Sequence, residues 1–217
     1  MVFQGILLIG RQGSGRGAVA ATMVDQYEYH RLSILDAARE EIAQAYEGQL
    51  KDLPGFLSKS GMNDVMAQFA LIHCRNRDFT DVAVNKFRVT DASADLPTDR
   101  ASVLRAPRSP RQILRAWVDV YRGRQPEFES YWHERIEGLM RQAPQRPYVV
   151  CDGETIADAY WAKGIGLETV FIHRPREEGP SALGSEERVL TESADLVIAN
   201  DGDLAELRRK IAHMFEG

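Results

Sequence analysis

Residues 3–18, with the sequence FQGILLIGRQGSGRGA, decide the fold of this chain. An apolar run ends at Ile9, and four glycines occur in the eight residues from Gly10 to Gly17. Residues 18–26 are good helix-forming material, so the predicted order is strand, glycine loop, helix. Successive backbone N–H groups of such a loop can point into one concavity, to which the following helix adds its positive N-terminal end. We therefore expect a phosphate-binding loop here rather than a turn that merely needs glycine.

The loop matches the pattern GxxxxGK[ST] at Gly10 and Gly15, with Arg16 in place of the lysine and Gly17 at the hydroxyl position. We expect it to hold the β- and γ-phosphates of ATP, with Arg16 as its charged group. The spacing of the glycines does not meet the dinucleotide fingerprint GxGxxG, which argues against an oxidoreductase. The predicted nucleotide-binding residues are Gly10, Arg11, Gln12, Gly13, Ser14, Gly15, Arg16, Gly17 and Ala18.

The rest of the chain alternates strands with helices, which predicts a parallel sheet in a three-layer α/β/α fold. We expect a single domain over 1–217, with a core of 1–50 and 145–217 and a helical acceptor-binding region at 51–144. The expected strands are 3–9, 31–35, 147–151, 167–173 and 196–199. The expected helices include 36–46, 65–74, one starting at Pro110 with Ser109 as its N-cap, 127–141, 155–163 and 203–215. Residues 91–110 are expected to form a mobile loop and residues 174–187 a flap.

Composition places the chain among ordinary globular proteins. It has 217 residues, a formal net charge of −5 and 44% hydrophobic residues. No apolar run approaches the ~18–20 residues that a membrane span needs, and the N-terminus lacks the features of a secretory signal. Cys74 and Cys151 alone make no disulfide framework or zinc site. These observations predict a cytoplasmic protein that does not bind membranes; self-association as a homodimer is left open.

Several segments resemble known kinases. Gly10–Ala18 resembles the loop GxPGSGKGT of adenylate-kinase-type nucleoside monophosphate kinases, with Arg16 for lysine and Ala18 for threonine as departures. A second resemblance, to the phage-type deoxynucleoside monophosphate kinases, covers nearly the whole chain. It depends on the order of Tyr29–Ser33 with Asp36–Glu41, Ser109–Trp117 with Tyr121, Arg122, Tyr131 and Trp132, Tyr148–Asp152, Phe171–Pro175 with Ser185 and Glu186, and Ala199–Gly202. The departures are Val120 where that family has glutamate, and Gly153 and Glu154 after Asp152.

This resemblance implies transfer of the γ-phosphoryl group of ATP to a deoxynucleoside monophosphate, with Mg²⁺. Asp152 ends an apolar strand, so we expect it to hold magnesium or position water, the alternative being a helix cap. Arg174 and Arg176 on the flap are expected to close over the phosphates, the alternative being an exposed basic loop. The candidate acceptor-binding residues are Arg108, Arg111 and Arg115 for its phosphate, Trp117 for its base unless it is a core residue, and Asp36 unless it is a helix cap.

Two alternatives remain open from the sequence. Between Arg100 and Arg124 there are seven arginines opposed only by Asp119, which suits either an anion-binding segment or a solvated helix face. Phage relatives of these kinases also phosphorylate 5-hydroxymethyluracil within DNA, and an arginine-rich segment suits such an acceptor. The other alternative is a nucleotide-binding protein without catalysis, which the replacement of lysine by Arg16 motivates.

Overall fold

The structure, a computed structural model, describes residues 4–11, 13–46, 62–124, 127–175 and 185–216. The chain forms two compact units: Met1–Leu35 together with Glu129–Gly217, and Asp36–Phe128. These limits differ from the expected division at residues 51 and 144.

The first unit contains a five-stranded parallel sheet in the order β2-β3-β1-β4-β5. The first strand is central because its residues are almost all apolar and become buried on both faces of the sheet. The predicted α/β fold with a parallel sheet is confirmed. The strands are β1 Gly5–Ile9, β2 His30–Ser33, β3 Tyr148–Gly153, β4 Glu168–His173 and β5 Leu196–Ala199.

The helices connect these strands and also build the second unit. In the described part of the chain, no helix combines the length and the apolar character that crossing a membrane requires. The α-helices of the described residues are α1 Arg16–Tyr27, α2 Asp36–Ala45, α3 Arg77–Ser93, α4 Arg100–Arg105, α5 Pro110–Arg124, α6 Glu127–Gln142, α7 Ile156–Gly164, α8 Ser185–Ser193 and α9 Leu204–Glu216.

Helices cover both faces of the sheet. Ile6 and Leu8 pack in one core cluster with Met23 of α1 and Ile211 of α9. Successive strand residues point to opposite faces, so Leu7 belongs to the other face, and it is also fully buried. Helix α7 packs against β1 and β4. The result is three layers with the carboxyl ends of the parallel strands along one edge, where α/β proteins place their ligands.

The structure of the second unit differs from two expectations. The helix expected at 65–74 is wrong: these residues form two short 3₁₀ turns, Ala67–Phe69 and Leu71–His73. The loop expected at 91–110 is also wrong in part, since α3 extends to Ser93 and α4 occupies Arg100–Arg105. The start of α3 carries a local signal that was overlooked, because Asn76 accepts a hydrogen bond from the Phe79 amide at 2.9 Å.

Candidate functional site

The glycine loop joins β1 to α1 at the carboxyl edge of the sheet. Gly10 passes so close to β4 that a Cβ atom there would lie 2.5 Å from the Ile172 carbonyl oxygen. Gly15 is the N-cap of α1 with φ 107°, a left-handed conformation that favours glycine. The glycines therefore let the backbone curl tightly against the sheet directly before a helix N-terminus, the arrangement that binds phosphate.

Asn200, the residue after β5, holds this loop in place. Its side-chain Nδ2 donates a buried hydrogen bond of 2.8 Å to the Ser14 carbonyl, and its own amide donates to the His173 carbonyl at 2.7 Å. Lys210 donates to the Ala199 carbonyl at 2.8 Å and to the Asp201 carboxylate, which secures the turn around Asn200. Nothing in the sequence indicated this contact between Asn200 and the loop, which joins residues 186 apart.

The Ser14 hydroxyl is the polar group of the loop that most needs a ligand. The residue is 4% exposed, and its Oγ has no hydrogen-bond partner among the described residues. A buried hydroxyl without a partner costs free energy, so such groups are usually satisfied by a ligand or by water. Its position between Gly10 and Gly15 fits a loop that receives phosphate oxygens.

Arg16 turns out to contact the end of β3. Its Nη1 donates to the Gly153 carbonyl at 2.7 Å and its Nη2 to Glu154 Oε1 at 2.9 Å. The Gly153 carbonyl also accepts a hydrogen bond of 3.3 Å from the Gly10 amide, so it binds both ends of the glycine loop. The sequence marked Glu154 only as a departure from the phage-type kinases, and its pairing with Arg16 was not foreseen.

The end of β3, which includes Asp152, contains one extra residue relative to β1. Leu7 pairs with Val150 but Ile9 pairs with Gly153, so the register of β1 and β3 shifts at the end of the strands. Asp152 itself has φ 69°, and the Ser33 hydroxyl donates a short hydrogen bond to its Oδ2. Bulges and left-handed residues of this kind often re-aim a side chain at a functional site. Asp152 directly precedes Gly153, whose carbonyl contacts Arg16 and Gly10, and the role expected of its carboxylate stays a prediction.

The remaining residues of the loop and flap are only partly placed. Arg11 forms an ion pair of 2.6 Å with Glu187 of α8, and Arg174 is exposed directly after β4. Gln12 and Arg176 lie outside the described residues. Residues 185–187, which were assigned to the flap, belong to α8 instead.

In the second unit, Arg108 has a structural environment. Its guanidinium makes two buried hydrogen bonds to Asp91, of 2.7 and 2.6 Å, and lies 4.2 Å from the centre of the Phe87 ring. This bidentate pairing occupies the fork that was expected to hold the acceptor phosphate. We therefore correct the expectation for Arg108 and assign it to the stability of this unit.

Trp117 is likewise a core residue. It is 2% exposed, its ring lies 4.5 Å from that of Phe79, and its Nε1 donates to Glu41 at 3.0 Å. A ring buried in this way cannot stack on a base, so that expectation is also corrected. Arg111 and Arg115 are both exposed on α5. Asp36 is the first residue of α2 and pairs with Arg39 at 2.5 Å, as suits the first turn of a helix.

Comparisons with known proteins found similar solved structures of low sequence identity. No protein-family model matches the sequence, and neither does any curated protein. Among solved structures, shikimate kinase from Aquifex aeolicus vf5 is 14% identical, with a TM-score of 0.45 over 99% of this chain and 97% of that one. Dephospho-CoA kinase from Campylobacter jejuni is 10% identical, with a TM-score of 0.48 over 98% and 95%. A gluconokinase from Sinorhizobium meliloti 1021 is 14% identical, with a TM-score of 0.35 over 100% and 96%. Similarities at these values carry no information on activity or substrate.

Proposed function

We propose that the protein is a phosphotransferase that moves the γ-phosphoryl group of ATP to a deoxynucleoside monophosphate. The observation that carries the proposal is the junction of the glycine loop with the end of β3. There the Gly153 carbonyl binds both Gly10 and Arg16, and Asp152 is the preceding residue. Phosphoryl transfer depends mainly on positioning and charge neutralisation, and this junction combines a phosphate cradle, a cation and a carboxylate.

The donor nucleotide fits the residues that are present. The buried Ser14 hydroxyl lacks a partner among the described residues, and the loop lies at the positive end of the twelve-residue helix α1. We assign the phosphates of ATP to Gly10–Ala18, with Arg16 as the charged ligand. Arginine suits this role because the two contacts at the end of β3 use two of its five N–H donors, and the others remain for phosphate oxygens.

The metal that such a reaction uses also fits. Magnesium retains several waters and is held by one or two carboxylates together with substrate phosphates. Asp152 offers one carboxylate at the strand end, with Ser33 orienting it. The described residues contain no cluster of three or more metal-binding side chains, and none is needed for magnesium held in this way. When bound, the ion would neutralise charge on the phosphates.

Direct transfer without a covalent enzyme intermediate is favoured by the state of the thiols. Burial is the main effect on Cys74 and Cys151, and it raises the pKa of both thiols. A thiolate is the nucleophilic form of cysteine, so both residues are poorly suited to attack phosphorus. We assign Arg111 and Arg115 to the acceptor, since both are exposed on α5.

One observation favours DNA containing 5-hydroxymethyluracil as a second candidate acceptor. Four arginines of the second unit are exposed between residues 100 and 115, namely Arg100, Arg105, Arg111 and Arg115. Such a group could contact several phosphates of a DNA strand. Binding to DNA would then weaken steeply as the salt concentration rises.

The test is a transfer assay with γ-labelled ATP, with and without magnesium. The acceptors are the separate deoxynucleoside monophosphates, 5-hydroxymethyluracil-containing DNA and unmodified DNA. We expect magnesium-dependent labelling of at least one free monophosphate. Labelling of the modified DNA alone would replace the proposal by the second candidate, and ATP binding without transfer to any acceptor would indicate a non-catalytic protein.

A matched pair of variants links any activity to the proposed site. Asp152→Asn removes the charge at a left-handed position, and Asp95→Asn makes the same change at another, with φ 53°, where the residue has no assigned role in the reaction. Asparagine tolerates this conformation as well as aspartate does. Loss of transfer in the first variant but not in the second would assign the reaction to Asp152.

A further inference from the structure

We propose that Glu154 is a positioning residue that holds the Arg16 guanidinium against the end of β3. This contact allows arginine to serve where the pattern GxxxxGK[ST] has lysine. The inference rests on the proposed function, because it concerns how Arg16 acts on the donor phosphates. It assigns a role to two residues at which this chain departs from those kinases: Arg16, which replaces the lysine of the loop, and Glu154, which differs from the phage-type family after Asp152.

The first support is the geometry of the pair. Nη1 of Arg16 binds the Gly153 carbonyl and Nη2 binds Glu154 Oε1, so the two ends of one fork hold two consecutive residues. A planar guanidinium can span two acceptors in this way, whereas lysine presents a compact ammonium on a flexible stem. The two contacts use two of the five N–H donors of arginine, and a bound phosphate would be met by the others.

The second support is burial. The Arg16 side chain is 9% exposed, while that of Glu154 is 45% exposed. A nearly buried cation needs a hydrogen-bonded partner of opposite charge, or its desolvation destabilises the protein. Glu154 supplies that charge from the solvent side, so it compensates the charge of Arg16 and holds the guanidinium in one orientation before any nucleotide arrives.

The third support is that Glu154 is held independently of Arg16. Its amide donates to Asp158 Oδ2 at 2.9 Å, and so does the amide of Thr155. Asp158 is fully buried and its other oxygen lies 2.8 Å from Nε2 of His133. Residues of α7 and α6 hold the turn after β3 in place. The turn therefore sets the position of Arg16, and Arg16 does not set the position of the turn.

A positioning role predicts a specific split between binding and turnover. Glu154 places a negative charge near the phosphate site, so its removal should leave ATP affinity unchanged or raise it. An unanchored Arg16 would, however, meet the transferring group in several orientations. Misplacement of a catalytic group by about 1 Å can cost on the order of 10²-fold in rate. A residue that merely stabilised the fold would change neither quantity selectively.

The experiment measures the Kd for ATP by calorimetry and kcat at saturating substrates in Glu154→Ala, Glu154→Gln, Arg16→Lys and the double variant Arg16→Lys with Glu154→Ala. Glu206→Gln is the matched control, because Glu206 pairs with Arg209 and is 41% exposed. We expect kcat to fall by roughly 10- to 100-fold in Glu154→Ala with Kd within about twofold of wild type or tighter. Glu154→Gln should recover most of kcat, since its amide oxygen still accepts from Nη2.

The double variant decides whether Glu154 acts through Arg16. Once Arg16 is lysine, adding Glu154→Ala should lower kcat by less than about threefold, because the fork that Glu154 positions is no longer present. Full additivity of the two changes, or an unchanged kcat in Glu154→Ala, would overturn the proposal. A wild-type protein that transfers no phosphate would reject the proposed function together with this role, whereas an active wild type with additive effects would reject the role of Glu154 alone.

Discussion

Substitution of Gly15 by alanine tests the contact between Asn200, which follows β5, and the Ser14 carbonyl of the glycine loop. We call this contact the clamp. A Cβ atom at Gly15 would overlap Asn200 Nδ2 and lie 3.3 Å from Asn200 Cγ. Asn200 must therefore move, and it is the residue that donates the buried hydrogen bond to the Ser14 carbonyl. Gly13 is the matched control, because it also has a positive φ, of 85°, but a Cβ atom there meets nothing within 4 Å.

The magnitude follows from two contributions. Forcing a residue with a Cβ atom into a left-handed conformation costs about 1–2 kcal/mol, and both variants incur this cost. Leaving a buried carbonyl without its partner costs about 1–3 kcal/mol, and only Gly15→Ala incurs it. We therefore expect Gly15→Ala to lower the free energy of unfolding by about 2–5 kcal/mol and Gly13→Ala by about 1–2 kcal/mol. Since domains are commonly stable by about 5–15 kcal/mol, both proteins should still fold.

The assay is urea unfolding of both variants, followed by ATP titration of the folded proteins. Asn200→Ala removes the clamp, so combining it with Gly15→Ala should cost less than the sum of the two single changes. The folded Gly15→Ala protein is expected to bind ATP much more weakly than wild type, because the loop loses its shape. Equal stability of Gly13→Ala and Gly15→Ala, or unchanged ATP affinity in Gly15→Ala, would refute the clamp.

Three further outcomes can be measured. Asp152→Asn should lower kcat about 10²-fold, some 2.7 kcal/mol, as expected for a lost electrostatic contact at the reacting group; a near-normal kcat in this variant would leave Asp152 a structural role only. Asp91→Ala should reduce stability by about 3–5 kcal/mol, because it leaves the buried Arg108 without its counter-charge; a loss below about 1 kcal/mol in denaturant titration would contradict the structural assignment of Arg108. ATP with magnesium should slow hydrogen exchange across residues 174–187, because Arg174 and Arg176 are predicted to close over the phosphates; exchange that does not change at saturating ligand would count against a closing flap.

The sequence alone was sufficient for features that depend on neighbouring residues. The apolar run before the glycines predicted β1, the loop and α1 in the correct order, because burial and glycine content act within a short stretch. The helix expected after Ser109 is present, and the Ser109 hydroxyl accepts from the Gln112 amide at 3.2 Å. The helix expected at 203–215 is also present, and the Glu206 amide donates to Asp203 Oδ1 at 2.8 Å directly before it. A cap joins residues three apart, so its signal is contained in the local sequence.

Only the tertiary structure decided which side chains meet. Arg16 and Glu154 are 138 residues apart, and Asn200 and Ser14 are 186 residues apart, yet each pair is in direct contact. Arg108 lies in an arginine-rich segment that suggested anion binding, but its burial against Asp91 makes it structural. No local pattern encodes the first two pairs, because the parallel sheet brings together the ends of strands that are distant in sequence. Which charges remain exposed to bind a phosphate, and which neutralise each other, depends on burial that arises only when the strands and helices pack together.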